Sequence, residues 1–439
     1  MEFTNKQLNS LIIPLVLEQV LEISVGMSDV MMVSLAGEAA VSGVSLVDMI
    51  NNMLICVFAA LATGGAVVTS QYIGKKNIQK ACKSINQLYL TTTAVSFIIM
   101  LFVLIFKVKI MHLLYGRIDT KVMHHSIVYL TVSAISYPVL SLYNSGAAVF
   151  RSMGNSRTPL LISVIMNLMN ITGNIILIIG FRMGVFGAAI SSLIARTTAC
   201  VIITYLLTNH NLLLHLSGKF SPDLHLIKKI LKIGIPAGFE NGLFQFGRVV
   251  VVSLISSFGT IQIAANAVAN NLDNFGCIPG QAMSYAMITI IGQCVGAGDY
   301  KKARYYTKKL LRITYAMMFV LNGMLLLALP LILRIYNLAP ETLQLAQVLI
   351  LIHNGCAIFM WPAAFVLPNA LRASNDVKFT MIISIFSMCT FRVLFSYILG
   401  MRLGYGAIGV WIAMVMDWIF RLTMFIWRFV GNRWEMHDI

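Results

Sequence analysis

The sequence contains twelve apolar runs, each long enough to cross a bilayer as a helix. They lie near residues 11–36, 43–70, 86–106, 125–149, 159–181, 186–208, 231–257, 264–291, 308–334, 343–369, 378–400 and 405–430. Hydrophobic residues make up 58% of the 439 residues and charged residues 11%, which leaves too little polar surface for a soluble protein. Because backbone groups in lipid must be paired within the segment, we predict an all-α polytopic membrane protein with twelve transmembrane helices.

The chain repeats itself. A shift of 222 residues superimposes the two halves from residue 13 to residue 87 without a gap. The matched pairs include Glu18 with Glu240, Gly37 with Gly259, Asn52 with Asn274 and Gly74 with Gly296; the shift becomes 221 at Arg151 and Arg372, and returns to 222 at Gly187 and Gly409. Each half has six spans, so both enter the membrane from the same side and the repeats should be parallel. We predict an N-lobe at 1–208, a linker at 209–229 and a C-lobe at 230–439.

The basic residues are concentrated in the loops between the apolar runs. With a cytoplasmic N-terminus, the inner segments hold 22 of the 32 Lys and Arg residues and the outer segments hold seven. This positive-inside pattern predicts that both termini are cytoplasmic, and it argues against nucleic acid as a partner, since no basic patch is interleaved with aromatic residues. The first run contains acids and is too long for a signal-peptide core, so we expect it to remain as helix 1. Seven scattered cysteines without C-x-x-C spacing predict neither disulfides nor a metal site.

Three acids lie in the first apolar run, at Glu18, Glu22 and Asp29. On a helix they fall within about 40° of one another and span about 16 Å, so they form one stripe. An ionised acid at the bilayer centre costs about 2.5 to 3.5 kcal/mol, so this face should turn toward protein or water. The alternative is that Glu18 and Glu22 lie near the cytoplasmic end, exposed to water or paired with a lysine, whereas Asp29 lies deepest.

Other polar residues recur at helical spacing inside the spans. They are Asp48, Asn51 and Asn52 in span two, Asn270, Asn271, Asp273 and Asn274 in span eight, Asn167, Asn170 and Asn174 in span five, and Ser191 and Ser192 in span six. Such residues can link helices or contact a substrate or cation, and the sequence leaves both interpretations open. The same holds for the three bases within spans, Arg196, Arg248 and Arg392, which can pair with acids or carbonyls or bind substrate.

Several stretches together carry a family resemblance. They are SDVMMVSLAG in helix 1, the twinned QYIGKKN and QCVGAGDYKKA, FRSMGNSRTP and LRASNDVKF after spans four and ten, and GIPAGFENGLFQFGR at the start of the second half. In this order, over nearly the whole chain, they resemble the bacterial multidrug and toxic compound extrusion (MATE) transporters. That family belongs to the wider multidrug/oligosaccharidyl-lipid/polysaccharide exporter group.

The resemblance implies cation-coupled export through a V-shaped bundle of two six-helix lobes. It matches a membrane acid of the first lobe to Asp29, with neighbours at Asn170, Asn174 and Ser192. Some relatives have an aspartate where Asn174 stands, so a two-acid relay is not carried over. Other relatives use a helix 7 glutamate, matched by Glu240, with a helix 10 aspartate whose place here is near residues 361–362. The candidate cation-coupling and substrate-binding residues are Asp29, Asn170, Asn174, Ser192, Glu240, Glu22 and Glu18.

We therefore expect a secondary active antiporter that exports organic cations or amphiphilic drugs in exchange for protons or sodium ions. We expect no catalytic residues and no cofactor beyond the coupling ion, with sodium at Asp29 or Glu240 as the one metal option. The protein should be a monomer in the lipid bilayer of the bacterial inner (plasma) membrane. The alternative is a lipid-linked oligosaccharide or precursor flippase of the same fold, which should place several bases in its cavity. A receptor or enzyme is disfavoured, because the sequence has no metal cluster, nucleophile constellation or soluble domain.

Overall fold

The computed structural model describes residues 2–34, 36–116, 119–217, 221–336 and 338–436. Gly218 and Lys219 of the predicted linker lie outside the described residues. The chain forms two compact units, Phe3–Gly238 and Phe239–Ile439 together with Glu2. We call them the first and second unit. Their boundary falls inside a helix rather than in the predicted linker, and the lobe limits at 208 and 230 stay a prediction.

The first unit is built from long helices that match the first six predicted spans. They are α1 (Asn5–Ser34), α2 (Glu38–Gly74), α3 (Ile78–Tyr115), α4 (Thr120–Ser152), α5 (Arg157–Asn174), which continues into a π-helical turn (Ile175–Gly180), and α6 (Gly184–Leu207). The predicted linker is held to α3, because the Gln87 side chain donates to the carbonyl of Ser221 at 2.9 Å and accepts from the Asp223 amide at 3.0 Å.

The second unit repeats this order with more breaks. Its helices are α7 (Leu224–Ser256, which begins in the first unit), α8 (Thr260–Gly276), α9 (Ile278–Gly296), α10 (Tyr300–Ile335), α11 (Pro340–Trp361), a π-helical turn (Pro362–Val366), α12 (Leu367–Ala373), α13 (Val377–Ser387), π-helical turns (Met388–Leu394 and Tyr397–Arg402), α14 (Gly406–Val430) and a short 3₁₀ turn (Arg433–Met436). The α8–α9 pair forms the eighth predicted span, bent by 42°. The bend is explained by Pro279, which lacks an amide hydrogen and opens the second segment.

Ten helical segments among the described residues are long and apolar enough to cross a membrane, and the bent α8–α9 pair makes an eleventh. Helix α7 lies in the place of the remaining span. Its central part is more polar than the other spans, because it contains Glu240, Asn241, Gln245 and Arg248. Large apolar side chains are exposed along α3, as expected of a lipid-facing helix; they include Phe97, Ile98, Phe102 and Ile105. The prediction of an all-α polytopic fold is confirmed, and no strand occurs in the described ranges.

The two units share backbone details at repeat-related positions. Gly37 and Gly259 precede α2 and α8 with φ of 103° and 102°, a conformation that favours glycine. The side chains of Asn77 and Asp299 cap α3 and α10 by accepting from the amides of Lys80 and Lys302. The π-helical turns at 175–180 and 397–402 also differ by 222.

The change of register between the halves has a structural cause. Helices α4 and α11 begin at Thr120 and Pro340, a shift of 220. A π-helical turn adds one residue to a helix, so the turn at 362–366 brings the shift to 221, and the turn at 388–394 restores it to 222.

Candidate functional site

A chain of hydrogen bonds in the first unit starts at Asp29, in the last third of α1. The Asn174 side-chain amide donates to Asp29 Oδ1 and to Asn170 Oδ1, each at 2.8 Å. Asn170 in turn donates to Ser192 Oγ at 3.0 Å, and the Ser191 hydroxyl donates to the Asn170 carbonyl at 2.8 Å. Helices α1, α5 and α6 thus bring together four of the seven predicted site residues.

The orientation of Asn174 follows from its partners. Both hydrogens of its Nδ2 are taken by acceptors at 2.8 Å, and the flipped amide would place oxygen against oxygen. Its Oδ1 is therefore turned away, and it is buried with no hydrogen-bond partner among the described residues. A buried acceptor left unpaired costs free energy, and it is the atom that a proton donor or a cation would complete.

A second polar group lies beside this chain. Asn51 on α2 donates weakly to Asp48 Oδ1 and to Ser133 Oγ, each at 3.4 Å, and accepts from the Tyr137 hydroxyl at 2.8 Å. The carboxylates of Asp29 and Asp48 both feel the positive charge of Arg196. Arg196 lies on α6 and donates a hydrogen bond to Ser136 Oγ at 2.8 Å. Its positive charge partly compensates the negative charges of Asp29 and Asp48.

The three acids of α1 do not share one environment. Glu22 is exposed and accepts from Gln19 at 3.2 Å. Glu18 is buried, and its Oε1 lies 2.6 Å from Arg151 Nη2 at the end of α4. Glu18 is therefore paired with a basic residue, as the alternative interpretation expected, but that residue is an arginine and not a lysine.

The second unit contains the mate of this ion pair. Glu240 Oε1 on α7 lies 2.7 Å from Arg372 Nη2 on α12. The two ion pairs are equally buried. The exposed fraction of the side chain is 8% for Glu18 and 7% for Glu240, and it is 13% for each arginine. Both arginines were expected in loops and their pairing was not predicted, although the glutamates and the arginines each lie at repeat-matched positions.

The contact between Asn51 and Ser133 has a repeat-related counterpart in the second unit, where both residues are ionisable. In the registers of 222 and 220 it corresponds to Asp273 and His353, whose Oδ1 and Nδ1 atoms lie 2.8 Å apart. His353 Nδ1 is also 3.0 Å from Asn354 Oδ1. Two acceptor oxygens beside Nδ1 favour the tautomer of His353 in which Nδ1 carries the hydrogen. Sequence analysis did not single out His353, because one histidine in an apolar run has no periodic pattern.

Asp417 on α14 is fully buried and was also missed. Its Oδ1 accepts from Arg421 Nε at 2.9 Å and from the Ser387 hydroxyl, and its Oδ2 lies 3.9 Å from Arg392 Nη1. Two guanidinium groups therefore depend on one carboxylate. In the part of the chain that the structure describes, no group of three or more His, Cys, Asp or Glu residues is arranged to hold a metal ion.

The helical fold and the polar groups buried in its spans define a polytopic membrane transporter. The MatE family model matches residues 14–176 and 236–398, again a shift of 222, which confirms the internal repeat. The chain belongs to this family, the MATE transporters, which is a family of transporters and not of enzymes.

Relatives match over nearly the full length. The chain is 25% identical to the uncharacterized transporter YisQ of Bacillus subtilis, over 95% of this chain and 93% of that protein. It is also 25% identical to a probable multidrug resistance protein NorM of Thermotoga maritima, over 99% and 94%. The fold is similar to a solved multidrug resistance MATE family transporter in an outward-facing conformation, with a TM-score of 0.89 and 19% identity over 98% and 96% of the two chains.

Proposed function

We propose that this protein is a secondary active antiporter that exports organic cations or amphiphilic drugs in exchange for protons or sodium ions. The observation that carries the proposal is the hydrogen-bonded chain from Asp29 to Ser192, with its unpaired Asn174 oxygen. Relatives named as probable multidrug resistance proteins support export of drug-like molecules.

The physical basis of coupling is competition for a charge. An ionised Asp29 favours a cation, and a bound proton or sodium ion neutralises it, so the two cargoes exclude each other. One elementary charge moving across 100 mV releases about 2.3 kcal/mol, enough to drive an uncharged substrate up a gradient of nearly fiftyfold. A monovalent cation exported in a one-for-one exchange moves no net charge, so the concentration gradient of the coupling ion drives its export.

Either coupling ion has ligands here. A protonated Asp29 gains a hydrogen to donate, and a sodium ion binds oxygen ligands such as a carboxylate and an amide carbonyl. Glu240, Glu18 and Glu22 remain candidates for binding substrate or cation. The pairing of Glu18 and Glu240 with arginines leaves less of their charge for a cargo ion.

Transport of a fluorescent cation such as ethidium tests the proposal. Proteoliposomes holding the purified protein should move ethidium when a pH or a sodium gradient is imposed, and an ionophore that collapses the gradient should stop it. Comparing the two gradients identifies the ion. Movement that ignores both gradients would contradict antiport.

We further propose that the protein is a monomer in the bacterial inner membrane with both termini cytoplasmic. Cysteines replacing Lys76, just after α2, and Lys302, in the first turn of α10, should then resist an impermeant thiol reagent added to whole cells. A cysteine at Arg182, in a predicted outer loop, is the matched positive control. Labelling of position 76 or 302 from outside would refute this topology.

A further inference from the structure

The second unit has a cavity at the repeat-related place of the Asp29 site. In the register of 222, Asp29 corresponds to Val251, Asn170 to Arg392, Ser192 to Met414 and Asp48 to Asn270. All four second-unit residues line one cavity of about 60 Å³. The positions that hold the polar group around Asp29 in the first unit therefore line a cavity in the second.

The charge of this pocket is inverted between the units. The first unit places the acids Asp29 and Asp48 there, whereas their mates are an apolar side chain and an amide. The second unit instead adds two bases, because Arg392 stands where Asn170 is and Arg248 where Gly26 is. Both arginines line the cavity.

The positive charge around the cavity exceeds its counter-charge. Arg248 has no hydrogen bond or ion pair among the described residues, and Arg392 reaches Asp417 only at 3.9 Å. Asp417 is already bonded to Arg421 at 2.9 Å. Asp273, whose Oδ1 lies 2.8 Å from His353 Nδ1, is the second carboxylate close enough to interact with the charges of Arg248 and Arg392. Three arginines, Arg248, Arg392 and Arg421, thus face two carboxylates, and the one positive charge left uncompensated within a membrane protein is costly.

The rest of the lining limits what can supply the missing charge. Val251, Val252, Ile255 and Met414 form an apolar wall, and Asn266 is occupied by the indole of Trp411, which donates to its Oδ1 at 3.0 Å. The volume suits a few heavy atoms. A guanidinium pair above an apolar wall fits a small carboxylate or an ion of similar size, and it excludes a bulky polyanion.

We propose that the second unit binds a small monovalent anion, such as a monocarboxylate, between Arg248 and Arg392. The site is independent of the coupling role proposed for Asp29, because its ligand is set by the charges of the second unit alone. Binding is therefore measurable in the absence of transport.

Titration calorimetry with sodium acetate tests the site on the full-length protein in an uncharged detergent, with ionic strength held constant. The wild type should bind acetate saturably with about one site per chain. Arg248→Gln should weaken acetate binding at least tenfold. Arg196→Gln, which removes the arginine near Asp29 and Asp48 in the first unit, should leave acetate binding unchanged. Absence of saturable binding, or binding unchanged in Arg248→Gln, would overturn the proposal.

Val251→Asp provides a second variant that does not depend on the loss of an arginine. It recreates the first-unit acid at its repeat mate, three residues from Arg248 on α7, so a tethered carboxylate would take the place of the anion. Acetate binding should be abolished, and the unfolding temperature without acetate should be equal to or higher than that of the wild type. Acetate binding at wild-type affinity in Val251→Asp would also refute the site.

Discussion

The first and second units share a scaffold but differ in what they bury. Repeat-related glycines, helix caps, π-helical turns and glutamate–arginine pairs recur at matched positions. The matched positions inside this scaffold hold acids and amides in the first unit, and two of them hold arginines in the second. Features found in both units are therefore candidates for a role in stabilising the fold. Features found in one unit only are candidates for binding an ion or a substrate.

The ion pairs give the largest expected effect. Replacing Arg372 with alanine leaves Glu240 buried without its partner, which should lower the free energy of unfolding by about 3 to 5 kcal/mol. Arg151→Ala should do the same to Glu18, whereas Arg334→Ala, at an exposed position, should have little effect. Thermal unfolding of the purified variants measures this. Wild-type stability in Arg372→Ala would mean that the pair is not structural.

Glu240 has two candidate roles, because it pairs with Arg372 and is also predicted to bind a cation or a substrate. If it does, Glu240→Gln should lose export while its repeat mate Glu18→Gln, at the same protein content, loses clearly less. Vesicle transport and unfolding temperature should be measured on both. Equal losses of export that follow equal losses of stability would assign both glutamates to structure alone.

Asn174→Ala should slow export less than Glu240→Gln does. Asn174→Ala removes two hydrogen bonds in the chain from Asp29 to Asn170, and a loss of about 1 to 3 kcal/mol corresponds to roughly fivefold to 150-fold slower export. The matched control is Ser396→Ala at the mate of Asn174, which should export normally. Normal export by Asn174→Ala would show that this chain does not position Asp29.

Much of the fold could be predicted from the sequence because apolar runs fix the spans and matched residues fix the repeat. Asp29, Asn170, Asn174 and Ser192 were found through helical spacing and family resemblance, and the structure brings them together. The π-helical turns were visible only as a shift from 221 to 222.

The missed contacts join residues far apart in the chain, for which spacing along one helix gives no indication. His353 meets Asp273 across α8 and α11, and Asp417 meets Ser387 across α13 and α14. Arg151 lies at a helix end, where a solvated loop base is the usual interpretation. Comparing the two halves residue by residue would have identified the paired positions of Arg151 and Arg372, but not the distances.

The most direct test of the account is export by Asp29→Asn. The change is nearly isosteric and removes a charge from a membrane helix, so the protein should insert and fold at least as well as the wild type. In proteoliposomes at matched protein content, it should lose gradient-driven export of ethidium while Val251→Ala, at the repeat mate, retains it. Export by Asp29→Asn at the wild-type rate would place the coupling site elsewhere and contradict the account.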